Sequence, residues 1–125
     1  SNPHDRLVRR CGGVAMFLAQ HMPGGGGLYS PWMGRQGDNI IVTIERIASD
    51  FQLSVEVFHK NSDETGNGTK LGLTALDASS NGVFSKEFND VKELVRYKYV
   101  PRSSDSRDLA FFRMLEPVWF DEVKA

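Results

Sequence analysis

Residues 51–60 contain the sequence pattern that most limits what this chain can fold into. One set of alternate positions is Phe51, Leu53, Val55, Val57 and His59; the set between them is Gln52, Ser54, Glu56, Phe58 and Lys60. A repeat of two residues is that of a β-strand, because successive side chains point to opposite faces of a sheet. The pattern therefore predicts a strand with the first set buried and the second set facing solvent.

The preceding run, NIIVTIERIAS, predicts a second strand of the same kind. It is rich in β-branched residues, and Ile40, Val42 and Ile44 fall on one face. The connection to the next run is very short, which is typical of a hairpin. We therefore expect the two strands to pair with each other, with Glu45 and Glu56 as neighbours on the exposed side.

Several further segments are predicted as short strands separated by turn and loop residues. They are residues 14–22, 70–79, 83–90, 92–102 and 109–120. In the second of these, Leu71, Leu73 and Ala75 share one side.

Two alternatives stay open for these segments, since residues 14–22 could be a helix by propensity, and the four-residue spacing of Phe84 and Phe88 also suits one helical turn. Strands that follow one another at about ten-residue spacing, with no long amphipathic helix between them, indicate an antiparallel sandwich or barrel. We favour an all-β fold, an antiparallel β-sandwich of jelly-roll or immunoglobulin-like type with six to eight short strands.

Length and charge narrow the classes of protein and of partner. A chain of 125 residues with 40% hydrophobic residues is long enough for one domain with its own core, so we expect a single sandwich domain over residues 1–125. The formal net charge of −1 argues against a general attraction to nucleic acid or to an anionic membrane. The lone Cys11 allows no intrachain disulfide and slightly favours a reducing compartment such as the cytoplasm.

No catalytic, metal or cofactor site is expected from the motifs. Cys11 follows two arginines that would favour its thiolate, and His4, His21 and His59 are possible bases, but a lone cysteine near a terminus is far more often an incidental or packed residue. His4, His21 and His59 lack the spacing of zinc ligands, and Cys11 has no second cysteine beside it. Residues 61–72 faintly match a calcium loop, but glycine occupies the last position, where a carboxylate is required. We therefore predict a protein that is not an enzyme.

The sequence RYKY at residues 96–99 interleaves basic and aromatic residues, as proteins that bind single-stranded nucleic acid do. In a strand, however, Tyr97 and Tyr99 share one face, and Arg96 and Lys98 share the other. Rings for stacking and charges for phosphates would then point apart. We expect buried tyrosines here, and no nucleic-acid or membrane partner.

The best indication of a function is the glycine run at residues 24–27 together with the segment that follows it, residues 28–35, which we call the aromatic segment. Ordering consecutive glycines is entropically costly, so residues 23–38 are predicted to form a flexible loop. Its large side chains either cap the core, contact another protein, or form a platform for a sugar or other small ligand. The candidate binding residues are Tyr29, Trp32, Met33 and Arg35.

These observations favour a non-enzymatic interaction or assembly domain. It would self-associate as a homo-oligomer, or bind a protein partner, through strand edges and the loop at residues 28–35. Trp, Tyr, Met and Arg are enriched in the cores of protein–protein interfaces. The alternative is a module that binds a carbohydrate or small ligand with Trp32 and Tyr29.

Overall fold

The chain is all-β throughout the part that the computed structural model describes, which is residues 6–11, 14–20, 28–102 and 109–122, with side chains for residues 29–100 and 110–122. These residues form twelve strands and no helix. In chain order the strands are β1 (Arg6–Cys11), β2 (Val14–Gln20), β3 (Leu28–Tyr29), β4 (Met33–Gly34), β5 (Asn39–Ser49), β6 (Gln52–Lys60), β7 (Thr69–Lys70), β8 (Leu76–Ala78), β9 (Gly82–Phe88), β10 (Leu94–Arg102), β11 (Leu109–Met114) and β12 (Val118–Phe120). Across these ranges, no helix of the length and apolarity needed to cross a membrane is found.

The strands form two antiparallel sheets. The first sheet has the order β1-β2-β11-β5-β12, and β9 also pairs with β5. The second sheet has the order β3-β10-β6-β7, with β4 also on β10 and β8 also on β6. The predicted all-β, antiparallel character is therefore confirmed.

The predicted hairpin between the two longest alternating runs is wrong. β5 and β6 belong to different sheets, so the chain crosses from one sheet to the other at residues 50–51. The hydroxyl of Ser49 fixes this crossing, since it donates to the carbonyl of Phe51 (2.5 Å) and accepts from its N–H (3.2 Å). Glu45 and Glu56 are consequently not neighbours.

The predicted inward faces of these two strands are confirmed. Every member of the two inward sets is buried, and one core cluster contains side chains from both sheets. The prediction that the other set of β6 faces solvent is wrong for Ser54, which is buried and whose hydroxyl donates to Oδ1 of Asp77 (2.6 Å).

On β10 the buried side chains are Val95, Tyr97 and Tyr99, as the alternation predicts. The ring of Tyr99 lies between those of Tyr97 and Phe112, at centroid distances of 6.4 and 5.4 Å. Burial raises the pKa of the Tyr97 phenol, because the ionised form would lose its hydration in the core.

The predicted strand at residues 70–79 is only partly correct. Leu73 is 98% exposed, and the strand that forms is β8, whose Leu76 and Ala78 are buried. The reason is local: Gly72 has a φ of +80°, a left-handed conformation that ends the extended chain after β7. Alternation of apolar residues across this turn therefore does not correspond to a shared face.

Candidate functional site

The aromatic segment is attached to the edge of the second sheet. β3 and β4 both pair with β10, and residues 30–32 bulge between them. Ser30 fastens the bulge, because its N–H donates to the carbonyl of Tyr97 and its hydroxyl accepts from the Tyr97 N–H, both at 2.8 Å. Residues 28–34 are thus an interrupted edge strand, where a loop was predicted. The glycines of the predicted flexible loop, residues 24–27, lie outside the described residues.

The four candidate binding residues do not lie together. Tyr29 and Trp32 are partly buried and lie on the outer side of β10, beside its charged side chains. Met33 instead packs against the buried core. Arg35 is exposed, and its Nη1 donates to the carbonyl of Val91 (3.0 Å). The structure therefore brings two of the four residues into one surface.

Arg96 joins Tyr29 and Trp32. Its guanidinium carbon lies 4.6 Å from the ring centroid of Tyr29 and 4.7 Å from that of Trp32. Two more cations adjoin these rings: Nζ of Lys60 is 4.6 Å from Trp32, and Nζ of Lys98 is 5.6 Å from Tyr29. All four distances are within the range in which the negative face of an aromatic ring attracts a cation.

Hydrogen bonds hold the Arg96 guanidinium in this position. Nε donates to the carbonyl of Ser30 (2.9 Å), and Nη1 donates to Oδ1 of Asn67 (3.0 Å). The loop at residues 61–68 also supports the indole of Trp32. Gly68, with a φ of +76°, packs so closely that an added Cβ would lie 3.2 Å from Cη2 of Trp32. The aromatic segment, β10 and this loop are thereby fixed to one another.

The remainder of this surface comes from the outward positions of β6 and β7. Phe58 stands opposite both Arg96 and Lys70 in the register, and its ring meets Tyr29 edge-on at 5.9 Å. Glu56 lies between two cations, with its carboxylate 3.1 Å from Nζ of Lys70 and 4.0 Å from Nζ of Lys98. These pairs screen part of the positive charge.

We call this surface the aromatic–cationic face. It consists of Tyr29, Glu56, Phe58, Lys60, Lys70, Arg96 and Lys98 with Trp32 at its edge. It places four cations, three aromatic rings and one carboxylate on one side of a sheet, in a chain whose formal net charge is −1. Such a surface attracts a partner with negative charge and apolar groups to cover.

Sequence reasoning found the faces of β10 but missed this combination. Tyr97 and Tyr99 are buried away from Arg96 and Lys98, as predicted. Aromatic rings nevertheless lie on the side of Arg96 and Lys98, because other strands supply them: Tyr29 comes from β3 and Phe58 from β6. The phase of the alternation in β6 already placed Phe58 with Glu56 and Lys60, and that was the signal available in the sequence.

His59 lies on the inward side of β6, behind the aromatic–cationic face. It is buried, and its Nδ1 accepts a hydrogen bond from the N–H of Lys92 (3.1 Å). Burial lowers the pKa of His59, the charge of Lys92 lowers it further, and Glu64 acts in the opposite direction. The imidazole is therefore a neutral hydrogen-bond acceptor that positions the chain after β9.

Within the described residues, no group of three or more His, Cys, Asp or Glu side chains is arranged to hold a metal ion. His4, His21 and the side chain of Cys11 lie outside the described residues.

Comparisons with protein-family models, with curated proteins and with solved structures each gave no match to this chain. Function is therefore inferred from the geometry of the chain itself.

Proposed function

We propose that this chain is a non-enzymatic interaction domain that self-associates through its aromatic–cationic face. The observation that supports the proposal is the concentration of rings and cations on the outer side of one sheet. Trp, Tyr and Arg are the residues most enriched among those that dominate binding energy at protein interfaces. On this face, all three types lie within one connected group of side chains.

Preorganisation also supports a binding role. Association is opposed by the entropy lost when long side chains become ordered at the interface. The hydrogen bonds of Arg96 to Ser30 and Asn67 restrict that side chain before any partner arrives. Backbone pairing of β3 and β4 with β10 likewise restricts the aromatic segment. A partner would therefore bind a surface whose side chains are already ordered.

We further propose that the two sheets pack face to face as a sandwich. The support is the single buried cluster, which includes Ile40 and Ile44 of the first sheet and Val55 and Val57 of the second. In a sandwich, the inner faces share one core, and the outer faces are left for solvent or for partners. The aromatic–cationic face is then an outer face on a rigid support.

A module for carbohydrate or another small ligand is the second candidate. Its support is that Tyr29 and Trp32 are both partly exposed and both adjoin one guanidinium. A sugar ring stacks on an open aromatic face, however, and here Arg96 and Lys60 already lie over the indole. This arrangement favours a protein surface over a neutral sugar.

Trp32→Ala tests the proposal. We expect the wild-type chain to associate reversibly at micromolar concentration and the variant to associate about thirtyfold more weakly, since an aromatic side chain that dominates an interface contributes roughly 2 kcal/mol. Sedimentation velocity measures association, and circular dichroism verifies folding. Phe111→Ala is the matched control, because Phe111 is a partly exposed ring outside the face, on the first sheet.

A wild-type chain that remains monomeric at about 100 µM would contradict self-association. If Trp32→Ala unfolds, then Trp32→Phe, which keeps a ring beside Gly68, serves as the folded variant. Quenching of tryptophan fluorescence by neutral glycans, without any self-association, would instead favour the carbohydrate module.

A further inference from the structure

The charges of this chain are unevenly distributed. The aromatic–cationic face contains four cations and one carboxylate, whereas the other described side chains contain five cations and twelve carboxylates. Within the described side chains, one side is thus positive and the remainder is negative. Such a distribution permits one copy to attract another through unlike surfaces.

Several of these carboxylates are grouped at one end of the first sheet, where β5 begins and β12 ends. The N–H of Asp38 donates to Oδ1 of Asp121 (2.9 Å), and the N–H of Val91 donates to the carbonyl of Asp38 (2.9 Å). We define the acidic end by four exposed residues: Asp38, Asp90, Asp121 and Glu122. Arg35 is the cation bonded nearby, through the carbonyl of Val91.

The same charges disfavour contact between two copies of the aromatic–cationic face. In a closed symmetric dimer, a surface meets itself, so the four cations of one copy would face those of the other. Like charges placed against each other across an interface cost several kcal/mol. Self-association through this face is therefore expected to use a different surface on the second copy.

We propose that the aromatic–cationic face binds the acidic end of a second copy, so that copies associate head to tail. This inference rests on the proposed function and names the surface that the face meets. A dimer formed by unlike surfaces still has one free aromatic–cationic face and one free acidic end. Further copies therefore add to it and form open chains, unless the rotation between successive copies closes a ring.

Glu56 shows how a carboxylate is held on this surface. It lies between Lys70 and Lys98, and its own charge is thereby neutralised. The other half of the face contains Lys60, whose ammonium donates to the carbonyl of Gly66 (3.0 Å) and lies over Trp32. Among the described residues, no carboxylate is within salt-bridge distance of Lys60. A carboxylate of the second copy would form an ion pair with Lys60 in that half of the face.

Mixing two variants tests the proposal. The face variant is Lys60→Glu with Lys98→Glu, and the end variant is Asp38→Lys with Glu122→Lys. Each variant alone should associate at least about tenfold more weakly than wild type. Their equimolar mixture should form a dimer and nothing larger, because it joins one intact face to one intact acidic end. Sedimentation velocity at low salt measures all of these species.

Two controls accompany this experiment. Glu116→Lys changes an exposed carboxylate outside the acidic end and should associate as wild type does. Raising the salt to about 1 M should weaken wild-type association, because the Debye length then falls to about 3 Å. Circular dichroism of each variant verifies that the fold is retained.

The outcomes separate this inference from the proposed function. If the wild type associates but the end variant does so equally well, or the mixture yields no dimer, the head-to-tail contact is wrong while self-association stands. A wild type that stays monomeric contradicts both. A monomeric wild type that binds an oligothymidylate strand would assign the face to single-stranded nucleic acid.

Discussion

The outer faces of the two sheets follow the same alternating pattern but are organised differently. Among the described side chains of the first sheet, which do not include those of β1 and β2, contacts are pairwise between neighbouring strands: the hydroxyls of Thr43 and Ser85 share a hydrogen bond (2.7 Å), and Arg113 pairs with Glu45. Exposed Val83 and Val118 are separated, because they pair with positions four apart on opposite sides of β5.

On the second sheet, one guanidinium contacts two rings and the loop that supports them. Single exposed apolar residues are normal on a protein surface and indicate no particular function. The candidate site therefore differs from the first sheet in the contacts that connect its side chains, rather than in the exposure of those side chains.

The largest effect is expected where the face depends on backbone packing. Gly68→Ala should lower the free energy of unfolding by about 3 kcal/mol, because its Cβ would overlap the His59 carbonyl oxygen and its φ is +76°. Gly66→Ala is the matched control: its φ is +83°, but nothing lies within 4 Å of the added atom, so about 1 kcal/mol is expected. Urea unfolding measures both. Equal losses would show that Gly68 has no special packing role beneath Trp32.

A matched pair of arginine substitutions compares the two faces directly. Arg96→Met should cost about 2 kcal/mol, since it removes two ring contacts and charged hydrogen bonds to Ser30 and Asn67. Arg113→Met on the first sheet should cost less than about 1 kcal/mol, because its pair with Glu45 is partly exposed to solvent. Thermal unfolding of both variants gives the comparison. If Arg113→Met were the costlier change, the second sheet would have no more connected surface than the first.

The smallest effect concerns pH and the inward side of β6. Because the pKa of His59 is lowered in the folded state, the unfolded chain binds more protons below its ordinary pKa of about 6.5. The stability from keeping His59 neutral is thus fully present above pH 6.5 and is lost as the pH falls toward the lowered pKa. Asparagine at this position retains an acceptor for the Lys92 N–H and does not titrate.

Urea unfolding at pH 7 and pH 5.5 should therefore show a greater loss of stability for the wild type than for His59→Asn. Solvent partly reaches His59, so the difference in stability loss between the two chains is small. Any pH dependence from carboxylates is common to both chains and cancels in the comparison. An identical pH dependence for the two chains would show that His59 titrates as it does when unfolded.

Alternation in the sequence was enough to predict the inward side chains of β5, β6 and β10, because these depend on each strand alone. It could not predict strand pairing. The two residues between β5 and β6 suit a hairpin, yet in the structure they cross between sheets, and no local signal separates these outcomes. The Leu71–Leu73–Ala75 alternation failed for a different reason, since the left-handed conformation of Gly72 interrupts the extended chain within it.

The candidate site was only half accessible to sequence reasoning. Trp32 and Tyr29 were predicted as binding residues from their position behind a glycine run. Lys60 and Arg96, which adjoin them, are distant in sequence, and their proximity depends on the register of β10 with β6 and with β3. Register is set by tertiary packing, so it could not be predicted from the segment itself.

The crossing between β5 and β6 has a consequence for how the chain must be made. Each of these strands finds its main partners far downstream: β5 pairs with β9 and β11, and β6 pairs with β10. A nascent chain released as far as residue 80 would therefore expose both edges of β5 and one edge of β6, whose other edge pairs with β7 and β8. Exposed strand edges of this kind favour aggregation until the second half of the chain has been made.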